Sequence, residues 1–369
     1  PERNAGGAPL TTIAQFEIAY RQYIDPTGKP ADELPDLARN HDELLKMYRL
    51  MSLTRVFDTK AVNLQRTGKL GTYASSLGHE AAHVGIGAAM QPDDCFAPMY
   101  REYGAQLWRG VTMTDILLYW GGDERGNDYG GDARGDFAWC VPIATQCLHA
   151  AGAALAFKLR GEPRCAVSVV GDGGTSEGHF YEAMNVAGVR KLPTVFVTVN
   201  NRWAISVPIE IQTATETLAQ KAIAAGIPGI QVDGNDVVAV RHTMEEALAR
   251  ARAGDGPTLV EAMTYRLSDH TTADDASRYR DSGEVEEARK LEPLIRLRQY
   301  LMDVGAWDAE QETALLEDCS ARVEAAVEAY LGTEVQPISS MFQYMYRKLP
   351  ETMQEQQDIA ERYAGTGGH

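Results

Sequence analysis

The sequence is poor in cysteine, in long apolar runs and in positive charge. Its five cysteines form no CxxC pair, so we expect reduced thiols rather than a zinc site or a disulfide framework. No run of 18 uncharged apolar residues and no basic, apolar leader is present, so we expect neither a membrane span nor export, and the cytoplasm is the default location. Basic residues number 35 against 52 acidic ones, a formal charge of −17. Such a chain repels nucleic acid and acidic membrane surfaces, and neither is an expected partner.

Three regions differ in pattern. Residues 1–40 carry Pro26, Gly28, Pro30 and Pro35 among polar residues, which predicts an extended N-terminal arm. Apolar residues recur at helical spacing from position 41 to about 67, which predicts a long amphipathic helix at the start of a domain spanning 41–280. From 281 to 369, charged helical segments at 284–304 and 308–330 predict a helical C-terminal region.

Between about 140 and 263, short β-branched runs alternate with alanine-rich segments, the pattern of a parallel α/β sheet flanked by helices. The predicted strands are nearly continuous in apolar residues, as expected where both faces of a sheet are covered. The sequence predicts strands at 165–170, 194–199, 229–232 and 258–262, and helices at about 146–160, 177–190, 214–226 and 236–253.

Oxygen-bearing side chains follow two of these strands. Asp172 ends the first strand and is followed by Gly173 and Gly174. Asn200 and Asn201 end the next strand, and 26 residues lie between Gly173 and Asn200. That separation accommodates one crossover helix, so the two strand ends are expected to be neighbours at the ligand-binding edge of the sheet. Carboxylate, amide and carbonyl oxygens suit Mg²⁺, and the positive end of the helix after Gly174 would face phosphates bound there.

Each half of this pattern has an ordinary explanation by itself. A Gly-Asp-Gly sequence recurs in turns and calcium loops, and an Asn pair after a strand is usually a turn. The two together at a βαβ separation favour a site. A nicotinamide dehydrogenase fits less well, because Ser176 stands where the dinucleotide motif needs its third small residue and no acidic residue closes the following strand.

The same pattern resembles the thiamine diphosphate motif, and the resemblance extends from about residue 45 to 350. The chain is similar to alpha subunits of pyruvate and branched-chain 2-oxoacid dehydrogenases, which implies a thiamine diphosphate-binding α/β fold. The matching segments are 71–80 (GTYASSLGHE), 100–102 (YRE), 143–146 (IATQ), 171–178 (GDGGTSEG), 200–206 (NNRWAIS), 270–275 (HTTADD) and 278–280 (RYR).

The resemblance implies roles for individual residues. Asp172, Asn201 and the backbone oxygen of Trp203 would hold Mg²⁺. Three further groups would contact the rest of the cofactor: Tyr100, Arg101, Gly173 and His270 at the diphosphate, backbone groups around Val141 and Ile143 at the aminopyrimidine, and Gly174 and Glu177 at the turn that follows the metal motif. His270 is also the candidate catalytic residue.

Simpler interpretations exist for three of these residues and for one neighbour. Arg101 could be a solvated surface arginine and His270 a solvated loop histidine, and Glu177 could cap the crossover helix. His79 replaces a Gln or Glu of many relatives, and we expect a structural role for it. Thr271 lies where related mammalian enzymes carry a regulated serine, without phosphorylation being implied here.

The resemblance also implies partners. A beta subunit would supply the glutamate that activates the cofactor, in an alpha2beta2 heterotetramer that passes its acyl group to the lipoyl domain of a dihydrolipoyl acyltransferase. Residues 215–234 resemble bacterial pyruvate dehydrogenases and favour pyruvate as the 2-oxoacid. Residues 143–146 and the loop with Asp274 and Asp275 look more like branched-chain enzymes. Thr72 and Val199 also depart from relatives, so substrate size stays open. A nucleotide-binding oxidoreductase and a non-catalytic scaffold subunit are the alternatives from other classes.

Overall fold

A six-stranded, fully parallel sheet forms the centre of the larger part of the chain, with strand order β1-β7-β8-β4-β3-β2. A separate two-stranded antiparallel hairpin, β5-β6, follows β4. The strands are β1 Ala19–Arg21, β2 Cys95–Ala97, β3 Ala166–Gly171, β4 Thr194–Asn200, β5 Trp203–Ala204, β6 Val207–Pro208, β7 Gly229–Asp233 and β8 Thr258–Met263.

This computed structural model describes residues 12–364, so the first eleven residues of the predicted arm and the last five of the predicted tail lie outside the described residues. Two units divide between Val327 and Glu328. The helices are α1 Asp36–Arg39, α2 His41–Arg66, α3 Glu80–Ala89, α4 Tyr103–Trp108, α5 Met113–Trp120, α6 Thr145–Arg160, α7 Gly178–Arg190, α8 Ile209–Gln212, α9 Lys221–Ala224, α10 Val237–Arg252, α11 Ser282–Arg289, α12 Pro293–Asp303, α13 Ala309–Leu331, α14 Ser340–Gln343 and α15 Glu351–Tyr363. Across residues 12–364, no helix is both long and apolar enough to cross a membrane.

Helices cover both faces of the sheet. Because successive side chains of a strand point to opposite faces, each central strand contributes to the apolar core on both sides. Val167 and Val169 of β3 pack with α3 and α10 in one apolar cluster. Ala166 and Val170 of the same strand pack with α6 and α7 in another. Burying both faces explains why these strands read as unbroken apolar runs rather than alternating ones, and the prediction of a parallel sheet flanked by helices is confirmed.

Two predicted helices differ from the structure. The segment 214–226 contains only a 3-10 turn, Leu218–Gln220, and the one-turn α9; the prediction was wrong because Thr217 and Gln220 cap a new turn in the middle of the segment. The segment 284–304 is split into α11 and α12. Pro293 opens α12 and has no N–H to donate within a continuous helix, and Glu292 caps the new N-terminus.

Two edge strands were not predicted. β1 lies in the predicted arm and pairs with β7, and β2 pairs with β3. Each is three residues long, too short to show a periodic pattern in the sequence.

Candidate active site

The carboxyl ends of β3 and β4 open into a cavity of about 650 Å³. The two strands are parallel neighbours, with Gly171 paired to Val199. Asp172 follows the last residue of β3, and Asn201 follows the last residue of β4. The predicted juxtaposition of the two strand ends is therefore confirmed, and both side chains line the same cavity.

Every residue named above as a metal or cofactor contact lines this one cavity. The predicted set is Tyr100, Arg101, Val141, Ile143, Asp172, Gly173, Gly174, Glu177, Asn201, Trp203 and His270. Seven further residues complete the wall: Thr72, Met99, Trp120, Gly171, Ala204, Ile205 and Thr271. Residues that are up to 199 positions apart in the chain thus meet at one edge of the sheet.

Asp172 is 2% exposed, and its Oδ2 atom has no hydrogen-bond partner within the described residues. Burial raises the pKa of this carboxyl to about 6, against the smaller opposing effects of backbone amides and of Arg266 and Arg101. A buried carboxylate oxygen without a donor is costly unless a cation or another ligand meets it. The arrangement fits a divalent cation at this strand end.

The two asparagines at the end of β4 lie in different surroundings. Asn200 donates from Nδ2 to Glu261 at 2.8 Å and belongs to the sheet. Asn201 lines the cavity; its Oδ1 accepts the Trp203 N–H at 3.1 Å, and its Nδ2 lies 3.1 Å from Nε2 of His79. Only the second residue of the pair is therefore placed to meet a ligand.

The backbone beside the cavity is unusual. Arg202 and Ile205 have φ values of 72° and 57°, and Ala144, next to Ile143, has a φ of 62°. Residues with a side chain rarely adopt such angles, and strain of this kind tends to collect at functional sites. Gly173 is needed for close approach, because a Cβ there would stand 2.6 Å from Cβ of Ala204.

Arg101 is 3% exposed, so its interpretation as a solvated surface arginine is wrong. The guanidinium donates to the carbonyl oxygens of Ser75 and His270 and lies over the ring of Tyr100, 5.4 Å from its centroid. These contacts hold a buried positive charge at the wall of the cavity. A planar guanidinium in that position suits a phosphate oxygen.

His270 is fixed by two guanidinium groups. Its Nδ1 lies 3.4 Å from the Arg101 guanidinium and 3.5 Å from that of Arg266, and the backbone N–H of His270 donates to the Asp274 carboxylate at 2.9 Å. Burial, Arg101 and Arg266 lower the pKa of His270 to about 3. Because a guanidinium can only donate, Nδ1 is the acceptor, and the proton of the neutral ring is carried by Nε2. The solvated-loop interpretation of His270 is wrong.

Two supporting residues were missed from the sequence. Arg266 is fully buried and donates to the Trp203 carbonyl at 3.1 Å and to the Ile205 carbonyl at 2.8 Å. Gln212 donates to the Asp172 carbonyl at 2.9 Å and to Ser176 Oγ at 2.8 Å. Both hold backbone around the cavity, and their partners lie 36 to 63 positions away, so no local motif marks them.

The turn between β3 and α7 tests the expectations for Gly173, Gly174 and Glu177. Between Gly173 and Ser176 the chain forms a 3-10 turn, and α7 begins only at Gly178. Glu177 occupies the N-cap position of α7, as the helix-cap interpretation expects, but its side chain makes no capping hydrogen bond. Val141 and Ile143 are 50% and 39% exposed, which leaves apolar surface open to a ring.

A second cavity of about 700 Å³ shares only Trp203 with the first. Arg202, Glu210, Glu284 and Glu287 are among its lining residues, and neither strand-end ligand faces it. Chemistry therefore places the candidate site in the cavity that contains Asp172.

Comparison with known proteins agrees with this geometry. The dehydrogenase E1 component family matches residues 48–337. Over 351 residues, which are 94% of each chain, this chain is 40% identical to the pyruvate dehydrogenase E1 component subunit alpha of Staphylococcus aureus. It is 39% identical, with the same coverage, to the subunit of that name from Staphylococcus epidermidis. The chain therefore belongs, as an alpha-type chain, to the dehydrogenase E1 component family, whose members are in general thiamine diphosphate-dependent oxidoreductase components of 2-oxoacid dehydrogenases.

Proposed function

We propose that this chain is the alpha subunit of a pyruvate dehydrogenase, active with a beta subunit in an alpha2beta2 heterotetramer. Together they would decarboxylate pyruvate and pass the acetyl group to a lipoyl arm of the acyltransferase component. The 40% identity to an enzyme subunit of that name supports the substrate. The observation that carries the proposal is the buried, unpartnered carboxylate oxygen of Asp172 in a cavity shared with Asn201 and Trp203.

The residues present fit Mg²⁺. Asp172 offers a carboxylate oxygen without a donor, Asn201 offers Oδ1, and Trp203 offers its carbonyl oxygen, all on the wall of one cavity. Oxygen ligands of this kind suit a small hard cation that completes its six-coordinate shell with water and phosphate oxygens. No group of three or more His, Cys, Asp or Glu side chains within residues 12–364 could hold a metal; the proposed site uses one carboxylate with neutral oxygens instead.

The remaining wall fits thiamine diphosphate. Arg101, Tyr100 and Nε2–H of His270 would meet the diphosphate, and the exposed apolar side chains of Val141 and Ile143 would lie against a ring. When bound, the cofactor supplies an electron sink for the negative charge left on the substrate as carbon dioxide departs.

This chain's contribution is positioning, charge and control of one proton. Arg101 is held in place by two carbonyl groups before any ligand arrives, so little reorganisation is needed to receive an anion. His270 is neutral, with its proton on Nε2, and can donate a hydrogen bond to a phosphate or to a reacting oxygen. Met99 and Trp120 add apolar surface that helps to exclude water from the cavity.

The division of the site between two chains can be tested directly. Purified alone with thiamine diphosphate and Mg²⁺, the chain should not decarboxylate pyruvate, because the activating glutamate would come from the beta subunit. Co-expressed with that subunit, it should. Substantial activity of the isolated chain would refute the division, and binding of a nicotinamide cofactor instead of thiamine diphosphate in a calorimetric titration would refute the proposed function.

A branched-chain 2-oxoacid is the second candidate substrate. Thr72, a small side chain, lines the cavity, where a larger residue would leave less room. A panel that compares pyruvate with 3-methyl-2-oxobutanoate on the alpha-beta complex separates the two. If Thr72 sets the available space, Thr72→Phe should reduce kcat/KM for the branched substrate far more than for pyruvate.

A further inference from the structure

A buried histidine stands directly behind the proposed metal ligand Asn201. His79 is 1% exposed, and its Nε2 lies 3.1 Å from Nδ2 of Asn201. His79 immediately precedes α3, whereas Asn201 follows β4, so the two come together only in the folded chain. The contact is between side chains, and its direction depends on which end of the Asn201 amide faces the ring.

The Trp203 N–H fixes the orientation of that amide. It lies 3.1 Å from Oδ1 of Asn201, and a backbone N–H can only donate, so the oxygen end of the amide must face it. The nitrogen end consequently faces His79.

The tautomer of His79 is fixed in the same way. Its Nδ1 lies 3.2 Å from the Ser76 carbonyl oxygen, which can only accept, so Nδ1 carries a proton. The ring stacks on His83 with centroids 5.5 Å apart, and none of its hydrogen-bond partners among the described residues is a carboxylate. The NH₂ group of Asn201 can only donate, so the Nε2 atom that faces it carries a lone pair. Nε2 is then an acceptor for the Asn201 amide.

We propose that His79 is a positioning residue that holds the Asn201 amide with its oxygen, and not its NH₂ group, toward Mg²⁺. A reversed amide would present two N–H donors to the cation and would lose the Trp203 contact as well. The Ser76 carbonyl, His79, Asn201 and the metal would form one chain of polarised contacts, as is common around metal ligands. This inference rests on the proposed function, since it assumes the metal site.

Two substitutions of similar polarity distinguish a role of the ring nitrogen Nε2 from a role of Nδ1. His79→Gln can place an amide oxygen where Nε2 stands, whereas His79→Asn is one carbon shorter and retains only a group near the position of Nδ1. The experiment is a calorimetric titration of Mg²⁺ into the alpha-beta complex saturated with thiamine diphosphate, together with the melting temperature of each variant without ligands.

We expect His79→Asn to weaken Mg²⁺ binding by about 10- to 100-fold and His79→Gln to stay within about threefold of the parent. Similar melting temperatures of the two variants would show that folding does not cause the difference. Equal Mg²⁺ affinity of parent, Asn and Gln variants would overturn the inference, and so would an equal loss in both variants.

A variant of Asn201 tests whether His79 acts by orienting the Asn201 amide. In Asn201→Asp both ends of the side chain are oxygens, so its rotation no longer matters. Adding His79→Asn to this background should change Mg²⁺ affinity by less than about threefold. An undiminished effect would assign His79 a purely structural role and overturn the inference. A parent complex that binds neither Mg²⁺ nor thiamine diphosphate would instead overturn the proposed function.

Discussion

The Asp172 carboxylate is buried with one oxygen unpartnered, and ionising it there costs free energy. Its folded pKa is about 6, above the usual value of 3.8. The penalty is therefore absent below about pH 4, grows as the pH rises toward 6, and is complete above that. A residue kept under such a penalty is better explained by a ligand than by folding.

Replacing this carboxylate should separate binding from stability. We expect Asp172→Asn to lower Mg²⁺ affinity by at least about 100-fold, because a charged ligand is lost. The melting temperature at pH 7.5 should be no lower than that of the parent, because no charge is buried any longer. Asp255→Asn, at an exposed carboxylate, serves as the control and should change neither quantity. A large loss of stability in Asp172→Asn would contradict this account.

His83 leads to a prediction about pH. Burial, followed by Arg101, lowers its pKa to about 3, and neither ring nitrogen has a hydrogen-bond partner within the described residues. The folded chain thus holds the ring neutral, while the unfolded chain protonates it near pH 6.5. Its contribution to stability is complete above pH 6.5 and is lost as the pH falls toward 3.

His83→Leu should therefore flatten the dependence of stability on pH. Between pH 7.5 and 5, the free energy of unfolding should fall by about 2 kcal/mol less in the variant than in the parent. Denaturant titrations at the two pH values measure this difference. The exposed residue His41 provides a control, and His41→Leu should reproduce the parental change. Parallel curves for parent and His83→Leu would show that the ring titrates freely in the folded chain.

At the scale of single residues, local motifs identified the groups on the cavity wall but not those behind it. Asp172, Asn201 and Trp203 lie within two short stretches of matching sequence, and the structure brings them together as predicted. The contact of His79 with Asn201 spans 122 positions, and that of Arg266 with Trp203 spans 63. Such partners are set by how α3 and the segment after β8 pack, which no single stretch of sequence encodes.

At the scale of elements, the turn between β3 and α7 is the part of the site that should tolerate substitution least. A Cβ on Gly173 would come 2.6 Å from Cβ of Ala204, in strand β5, which also carries Trp203. We expect Gly173→Ala to push the turn and β5 apart and to weaken thiamine diphosphate binding by about tenfold or more. Calorimetry on the alpha-beta complex measures this.

The control for that substitution lies in α6. A Cβ on Gly152 meets nothing within 4 Å, so Gly152→Ala should leave cofactor binding unchanged and should stabilise the chain by roughly 0.5–1 kcal/mol. Unaltered cofactor affinity in Gly173→Ala would mean that β5 around Ala204 yields without cost.

Sequence patterns located the central strands to within a residue or two and failed where local signals conflict. The strand predicted at 194–199 is β4, Thr194–Asn200, because a buried β-branched run has few alternatives. The segment 214–226 looked helical by composition, but its threonines favour extended backbone and caps, and the helix is reduced to one turn.

Ligand binding should be visible in the stability of the whole complex. Thiamine diphosphate with Mg²⁺ at 100 times the dissociation constant should raise the free energy of unfolding by about 2.7 kcal/mol per site. Thiamine without its diphosphate should give no comparable rise in melting temperature, because Arg101 and the metal would act on the phosphates. Equal shifts with the two compounds would contradict recognition through the diphosphate.

The two edges of the central sheet are its shortest strands. β1 and β2 have three residues each, whereas the four strands between them have five to seven. An edge strand is where a foreign chain can extend a sheet by pairing with free amides and carbonyls, and a three-residue edge offers it very few. The short edges therefore make the native sheet a poor template for fibrous aggregation. With longer edge strands, a sheet with such apolar central strands would need charged residues or prolines at its edges to give the same protection.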